Sequence, residues 1–206
     1  MPRIDLQVPF DEKDDAKRLG ARWDPGLRVW FVPHGVDPGP CSRWFPEAAE
    51  VNVVSDTYFI AESTHDCWRC TRATRVHGFV LPEGHAVLNV GEIAGEDEWE
   101  VSDEPTLLCF IDYLTPSVAE RMQEISPSFR PATSGIGGAF YWTNFCEHCG
   151  AQLDDNEIFC EPGQGFLAFT EEDARRVVLH RVSELFGATC GSYSFGVALY
   201  EEMRIK

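Results

Sequence analysis

Two short stretches of the sequence, CWRC at residues 67–70 and CEHC at residues 146–149, decide how the larger part of this chain is held together. Two C-x-x-C pairs supply the four thiolates of a tetrahedral structural zinc site. Gly150 follows the second pair, and glycine tolerates the positive φ with which such a knuckle usually closes. A simple zinc ribbon has roughly 15 to 20 residues between its pairs, whereas residues 71–145 separate them here. The sequence therefore predicts one metal ion that joins two distant stretches of a single domain, with the ligands Cys67, Cys70, Cys146 and Cys149.

Three other interpretations of these cysteines stay open: iron in a thiolate site, a redox dithiol, and inert buried thiols. A redox pair usually begins a helix, but residues 71–81 have the pattern of a strand. His65 and His148 flank the pairs and could replace a sulfur, although a place beside the site or in solvent is the simpler reading. The remaining cysteines occur singly: Cys41, Cys109, Cys160 and Cys190. Cys109 and Cys190 lie in apolar stretches of sequence, where a cysteine usually serves as a small buried hydrophobic residue.

Composition indicates an ordinary globular protein of 206 residues, with 44% hydrophobic and 25% charged residues. The sequence contains no apolar run of about 18 residues, which a transmembrane helix needs. Charges stand in the first 15 residues where a signal peptide needs an apolar stretch. We therefore expect a cytoplasmic protein without a membrane segment, in a compartment where reduced thiols bind metal.

The net charge of −17 is unevenly distributed. Residues 51–206 hold 25 of the 34 acidic residues and ten of the 17 basic ones, which gives this part a net charge of −15. Such a body repels phosphate backbones, so direct nucleic-acid binding through it is not expected. The charge favours a basic protein as partner, and the alternative is that it serves solubility alone.

The first part of the chain has the pattern of a separate β-α-β-β unit. Alternation at residues 4–8 predicts a strand, DEKDDAKRLG at 11–20 a helix, and the stretch from Trp23 to Val32 a hairpin around Asp24-Pro25-Gly26. The tryptophans at 23, 30 and 44 supply its aromatic content.

This part resembles a known family through LQVPF at residues 6–10, GARWD at 20–24 and VWFVP at 29–33. The resemblance is to a short bacterial domain of unknown function that recurs at the start of plasmid primases of the TraC type and in other mobile-element and DNA-processing proteins. It covers residues 4–45, and it implies a small accessory or recognition module. The family has no assigned catalytic residue, so the resemblance implies none here.

The rest of the chain predicts a mainly antiparallel β body with two helices, so the fold class is α+β with a zinc-ribbon-like four-cysteine site. We expect domains at residues 1–46 and 55–206. Strands are predicted at 57–61, 75–81, 85–93, 106–114 and 139–145, and the last strand in CGSYSFGVALY at 190–200. PSVAERMQEIS at 116–126 predicts the first helix. The second is predicted from the cap at Thr170 to a stop at Gly187, with one apolar stripe: Ala174, Val177, Val178, Val182 and Leu185.

Signs of catalysis are few. G-x-S-x-G, H-E-x-x-H, a P-loop and the zinc-deaminase pattern are absent from the sequence. The glycines at 135, 137 and 138 suit a tight turn better than a phosphate loop. The aromatic run at 140–142 suits a core strand better than a base-stacking platform.

A cluster of seven acids surrounds Trp99 and suggests either a solvated loop or a docking surface with the tryptophan as anchor. Its members are Glu92, Glu96, Asp97, Glu98, Glu100, Asp103 and Glu104. The sequence thus favours a non-enzymatic bacterial interaction or adaptor protein with structural zinc. The alternatives are an acidic inhibitor or immunity-type protein that covers a basic nuclease or toxin, and an enzyme with a reactive thiol.

Overall fold

A computed structural model of the protein describes residues 4–6, 8–25, 29–33, 36, 39–44, 51–89, 98–133, 140–161, 164–195, 197 and 199–206. These residues form two compact units, Met1–Glu50 and Val51–Lys206. Predictions for the glycines at 135–138, for three of the seven clustered acids (Glu92, Glu96 and Asp97) and for the end of the strand at 85–93 lie outside the described residues. No described helix has the length and apolar character that crossing a membrane requires.

The first unit is the predicted β-α-β-β arrangement. Its elements are β1 (Ile4–Leu6), a 3-10 turn (Phe10–Glu12), α1 (Lys13–Arg18), β2 (Arg22–Asp24), β3 (Val29–Val32) and a second 3-10 helix (Gly39–Trp44). The strands form an antiparallel sheet in the order β1-β3-β2. Helix α1 contributes Ala16 to a core with Leu6, Val32, Cys41 and Trp44. The indole Nε1 of Trp44 donates to Glu12 Oε2 at 2.7 Å, which ties the second 3-10 helix to the start of α1.

The second unit is built on one large sheet, and among its described residues all but one pair of strands are antiparallel. Its strands in chain order are β4 (Val53–Ser55), β5 (Tyr58–Asp66), β6 (Ala73–Leu81), β7 (Ala86–Asn89), β8 (Glu98–Val101), β9 (Thr106–Leu114), β10 (Phe129–Thr133), β11 (Phe140–Asn144), β12 (Val178–Val182), β13 (Phe186–Phe195) and β14 (Arg204–Ile205). The sheet runs β14-β12-β5-β6-β9-β13-β4-β7-β8, and β11 joins it through a bridge from Trp142 to Ile111. The parallel pair is β12 with β14.

The sheet has a hydrophobic cluster on each face. Strand side chains alternate between faces, and so neighbours on β5, such as Ile60 and Ala61, belong to different clusters. The first cluster packs under α2 (Pro116–Ile125), which contributes Val118 and Met122. The second packs under α3 (Asp155–Cys160) and α4 (Glu171–Arg176), and it contains the cysteines at 67 and 146. The α+β class and the antiparallel body are confirmed, with one body helix, α3, in addition to the two predicted.

The prediction of a long helix from Thr170 to Gly187 is wrong beyond Arg176. The capping box at Thr170 and Asp173 forms as expected, but α4 ends at Arg176 and Val178–Val182 is strand β12. The apolar stripe also fits a strand, because β-branched valines pack well on a pleated surface and five residues suffice for it. Strand β12 pairs with the long strand β5, from Val178 opposite Glu62 to Val182 opposite Tyr58. Gly187 lies within β13 instead of ending a helix.

Candidate metal centre

The four predicted cysteines lie together in the structure. Their Sγ atoms are all within 4.8 Å of one another. The two contacts across the site join the pairs crosswise: Cys67 to Cys149 at 3.7 Å and Cys70 to Cys146 at 3.7 Å. A disulfide bond is about 2.05 Å long, so these are four separate thiols. The cluster could hold a metal ion.

The first knuckle is the connection between β5 and β6. The amide of Cys67 donates to the carbonyl of Arg72 at 3.0 Å, and the amide of Thr71 donates to the carbonyl of Cys67 at 2.8 Å. Thr71 adopts a left-handed conformation, with φ 56°. Such a residue reverses the chain in a tight turn, and this turn returns the chain into β6 just after it has presented both sulfurs.

The second knuckle repeats this geometry after β11. The amide of Cys146 donates to the carbonyl of Ala151 at 2.8 Å, and the amide of Gly150 donates to the carbonyl of Cys146 at 2.9 Å. Gly150 has φ 68°, the positive value predicted for it. A single bridge from Phe145 to Gln152 closes this loop. The two C-x-x-C stretches are therefore the same turn used twice, with a threonine in one and a glycine in the other at the left-handed position.

Hydrogen bonds also join the two stretches directly. The amide of Glu147 donates to Thr74 Oγ1 at 3.0 Å, and the Nε2 of His148 donates to the carbonyl of Ala73 at 2.9 Å. The guanidinium of Arg75 binds the carboxylate of Glu147, with its closest contact at 2.7 Å. This contact raises the pKa of Arg75 and lowers that of Glu147. Trp68 is largely exposed, and its indole nitrogen donates to the carbonyl of Gln152 at 2.9 Å.

One of the thiols lies in an environment that favours its ionised form. Burial by itself raises the pKa of Cys146. The backbone N–H groups of His148 and Cys149 outweigh this effect, together with the neighbouring thiols of Cys67 and Cys149, and the net result is a lowered pKa. The amide of His148 lies 3.4 Å from the sulfur of Cys146. Amide donors aimed at a sulfur stabilise a thiolate, which is the form that binds metals.

The site is neither fully buried nor open. Cys67 and Cys146 are 1% and 2% exposed, Cys70 is half-buried and Cys149 is exposed. The first cysteine of each stretch therefore faces the second hydrophobic cluster, and the last cysteine of the second stretch faces solvent. An ion bound here would be held by two cysteines that belong to the hydrophobic core and by one cysteine that faces solvent.

The flanking histidines take different places. His148 binds the first stretch through the carbonyl of Ala73, as a residue beside the site. His65 is buried in β5, and its Nε2 lies 3.5 Å from a carboxylate oxygen of Glu157. The single cysteines at 109 and 190 are buried as predicted, and burial raises the pKa of each thiol to about 12, which makes both thiols inert.

A second buried histidine, His77, lies in β6, the strand that follows the first knuckle, and no sequence pattern points to it. It is 1% exposed, and both of its ring nitrogens lie buried without a hydrogen-bond partner among the described residues. Glu62 stands between it and His180, with Oε2 at 3.7 Å and 3.6 Å from the two Nε2 atoms. Burial lowers the pKa of His77 to about 4, although Glu62 acts in the opposite direction. His77 is therefore neutral at physiological pH.

Sequence reasoning also missed the residues that join the two halves of the site. Asn144 contacts His77, and Thr74 and Arg75 contact Glu147. Single polar residues about 70 positions apart leave no spacing pattern in a sequence, so no signal for these contacts was present. The sequence places Trp68 inside the first pair but does not indicate its hydrogen bond to Gln152.

Of the four acids of the cluster that the structure describes, two lie in a strand, and Asp103 and Glu104 lie in the bend after it. Glu98 and Glu100 belong to β8 together with Trp99, which is 44% exposed. Of the aromatic run at 140–142, Trp142 is buried in the first hydrophobic cluster, as expected for a core strand, while the side chain of Phe140 is outside the described part.

The first unit is similar to segments of known proteins. Residues 3–46 match the family described as Domain of unknown function (DUF5710). A DNA primase TraC of Escherichia coli is 55% identical over 51 residues, which are 25% of this chain and 5% of the primase. A second DNA primase TraC of Escherichia coli is 48% identical over 48 residues, which are 23% of this chain and 3% of that primase.

These matches concern a small part of each protein. The chain spans one twentieth or less of the length of these curated relatives. No solved structure matches the chain. The resemblance predicted for residues 4–45 is confirmed: residues 3–46 match the DUF5710 family, and the chain is similar to a short segment of the TraC primases.

Proposed function

We propose that the four cysteines hold one structural zinc ion. The observation that carries this proposal is the 3.7 Å separation of the sulfurs across the site. A tetrahedral ion with zinc–sulfur bonds of about 2.3 Å places its sulfurs about 3.8 Å apart. Two of the six edges of such a tetrahedron thus have the expected length, and the remaining sulfur pairs lie within 4.8 Å.

A closed site of this kind has a structural role. Four thiolates fill the tetrahedral positions of zinc, so none is left for an activated water or a substrate. The ion would hold the β5–β6 connection against the loop after β11. These two stretches are far apart in the sequence, so bringing them together costs conformational entropy, which bonds to the ion would offset. We therefore propose that the protein is not an enzyme.

The function that best fits a zinc-stabilised body without a catalytic site is that of an interaction or adaptor protein. The DUF5710 domain would serve as a recognition module at one end of the chain. The body, with a net charge of −15, would bind a basic protein and not nucleic acid. The two primases support this view in one respect: each carries a similar segment as a small fraction of a much longer chain.

Elemental analysis of the purified protein tests the zinc proposal. We expect one zinc per chain, retained on dialysis against a weak chelator, by the wild type and by Cys160→Ser. Cys149→Ser should lose the metal, because a site with three thiolates binds zinc more weakly. The two serine variants are matched, since both cysteines are exposed and only Cys149 belongs to the cluster. Iron in place of zinc, which would colour the protein, or equal metal retention by both variants would contradict the proposal.

The same samples test the absence of a catalytic thiol. In the zinc-loaded wild type we expect a thiol reagent to label Cys160 rapidly, because it is exposed, and the four clustered cysteines only after the metal is removed. Rapid labelling of a clustered cysteine with zinc in place would indicate an open site and favour the enzyme alternative.

The uneven charge also favours a second candidate, an inhibitor or immunity-type protein that covers the basic active site of a nuclease or toxin. Such a protein would form a one-to-one complex that abolishes the partner's activity and weakens steeply with salt. An adaptor would leave its partner active. Assay of the partner's activity in the isolated complex therefore separates the two candidates.

A further inference from the structure

Strand β8 forms the last strand of the large sheet. Within the described residues it pairs with β7, from Ala86 opposite Val101 to Asn89 opposite Glu98, and with no other strand. All four of its residues are exposed. An edge strand presents a row of backbone N–H and C=O groups on its outer side, ready to pair with another chain.

One face of this edge carries an apolar strip. The register places Trp99 beside Leu88, Val101 beside Ala86, and Ala86 in turn beside Val54 of β4. Residues opposite one another in an antiparallel ladder lie on the same face of the sheet. None of the five is buried, and Trp99 and Val101 are 44% and 67% exposed. At this end of the sheet an apolar surface therefore faces solvent.

The other face of the edge is acidic. Glu98 and Glu100 alternate with the two apolar residues, and Asn89 orients Glu100 through a hydrogen bond of 2.6 Å to Oε2. Exposed acids continue along the neighbouring turns at Asp103 and Glu104. The strand thus offers a regular two-sided pattern, carboxylates on one face and large apolar groups on the other.

We propose that β8 is a docking edge for an extended basic segment of a partner protein, which adds to the sheet as a further strand. The proposal rests on the interaction function proposed above and assigns its surface. A strand that alternates Lys or Arg with apolar residues would place each cation beside Glu98 or Glu100. Its apolar residues would extend the strip of Trp99 and Val101. Main-chain bonds would supply affinity and the alternating side chains specificity.

Charge argues against a second copy of this chain as the occupant. Two β8 strands paired edge to edge would bring carboxylates next to carboxylates, and like charges directly opposite are destabilising. A phosphate backbone is disfavoured for the same reason. The basic segment is the occupant whose charge complements the edge.

Titration of the intact zinc-loaded protein with synthetic peptides tests the proposal. The probe is a ten-residue peptide in which lysine alternates with valine. One control peptide has glutamate in place of lysine, and another has the same lysines and valines in two separate blocks. We expect the tryptophan fluorescence of the protein to change, and β8 amides to gain protection from hydrogen exchange, only with the alternating lysine peptide.

Two double variants localise the effect. We expect Glu98→Gln with Glu100→Gln to weaken binding of the alternating peptide by about three- to tenfold, the effect of two opposite-charge cross-strand pairs. Glu120→Gln with Glu172→Gln removes the same charge from exposed positions in helices α2 and α4, and should change binding less than twofold.

Equal weakening by both double variants, equal binding of the block peptide, or protection of amides elsewhere would overturn the docking edge. Dimerisation of the free protein through β8 would overturn it as well. These results are independent of the metal analysis. Peptide binding at β8 by a protein found to carry no zinc would contradict the metal proposal alone, and failure of binding by a zinc-loaded protein would contradict the edge alone.

Discussion

The side-chain amide of Asn144 replaces a segment of β-ladder opposite His77. Its Oδ1 accepts from the backbone amide of His77 at 2.7 Å, and its Nδ2 donates to the carbonyl of the same residue at 2.9 Å. Asn52 binds both backbone groups of Cys190 in the same way, where the pairing of β9 with β13 shifts register. In both places one asparagine satisfies a donor and an acceptor that a neighbouring strand does not reach.

Replacing Asn144 by alanine is expected to destabilise the body by about 2–5 kcal/mol, because it leaves two buried backbone groups of His77 without partners. Urea unfolding of the zinc-loaded protein measures the free energy of unfolding. The folded variant should still bind one metal ion, since the thiols are unchanged.

Asn156→Ala is the matched control for this change. Asn156 is exposed on α3, where its amide contacts the side chain of Asp154, and its loss should cost less than about 0.5 kcal/mol. A free energy of unfolding for Asn144→Ala equal to that of Asn156→Ala would show that the amide does not carry this connection.

Asp155 is expected to make the protein less stable as the pH rises. It is buried beside Thr143, which donates to Oδ1 at 2.7 Å, and burial raises its pKa from 3.8 to about 6 in spite of that bond. The folded state therefore binds a proton more tightly than the unfolded state, and its stability falls as the pH passes from about 4 to about 6. The Asp155→Asn variant should escape this loss.

The gain from Asp155→Asn should increase from about 1.5 kcal/mol at pH 5 to about 3 kcal/mol at pH 7, as measured by urea unfolding of variant and wild type at each pH. Asp154→Asn provides the control. That side chain is exposed and caps α3 through the amide of Asn156, and asparagine caps equally well. A gain that does not vary with pH would mean that folding does not raise the pKa of Asp155.

His77 is expected to make the protein less stable as the pH falls. Its pKa falls from 6.5 to about 4 on folding, so its contribution is complete above pH 6.5 and is lost as the pH falls toward 4. Between pH 8 and pH 5 the wild type should lose about 2 kcal/mol from this residue, and His77→Phe should not. The imidazole resonances of His77 should stay those of the neutral ring down to pH 5. A titration midpoint near 6.5 would show that burial does not lower its pKa.

Features of the site that form within a few consecutive residues could be predicted from the sequence. A C-x-x-C turn and its left-handed residue are complete within six residues, and Gly150 has the positive φ that its type suggests. The strands that lead into Cys67 and Cys146 are short runs rich in aromatic and apolar residues, which predict a strand without reference to the rest of the chain. The meeting of the two stretches depended on a chemical argument about thiolates, and the sulfurs do lie together.

Features that arise from pairing over long distances could not be predicted. The stripe from Ala174 to Val182 is compatible with a helix and with a strand, and β5, more than 100 residues earlier, decides between them. The same holds for Asn144 and His77, whose contact depends on how β11 lies beside β6. The acids around Trp99 suggested a loop by their charge, but pairing with β7 makes a strand of residues 98–101.

Gly187 offers a direct test of this strand assignment. In the structure a Cβ added at this position would lie 2.7 Å from Cγ2 of Thr115, whose amide donates to the carbonyl of Gly187 at 2.9 Å. We expect Gly187→Ala to cost about 1–3 kcal/mol through this clash. Thr115→Ser removes the methyl group and keeps the hydroxyl, so it should relieve most of that cost in the double variant. Unfolding of the wild type, both single variants and the double variant gives the coupling energy. If Gly187 instead ended a helix, alanine would be disfavoured by its φ alone and the cost would be the same with serine or threonine at 115.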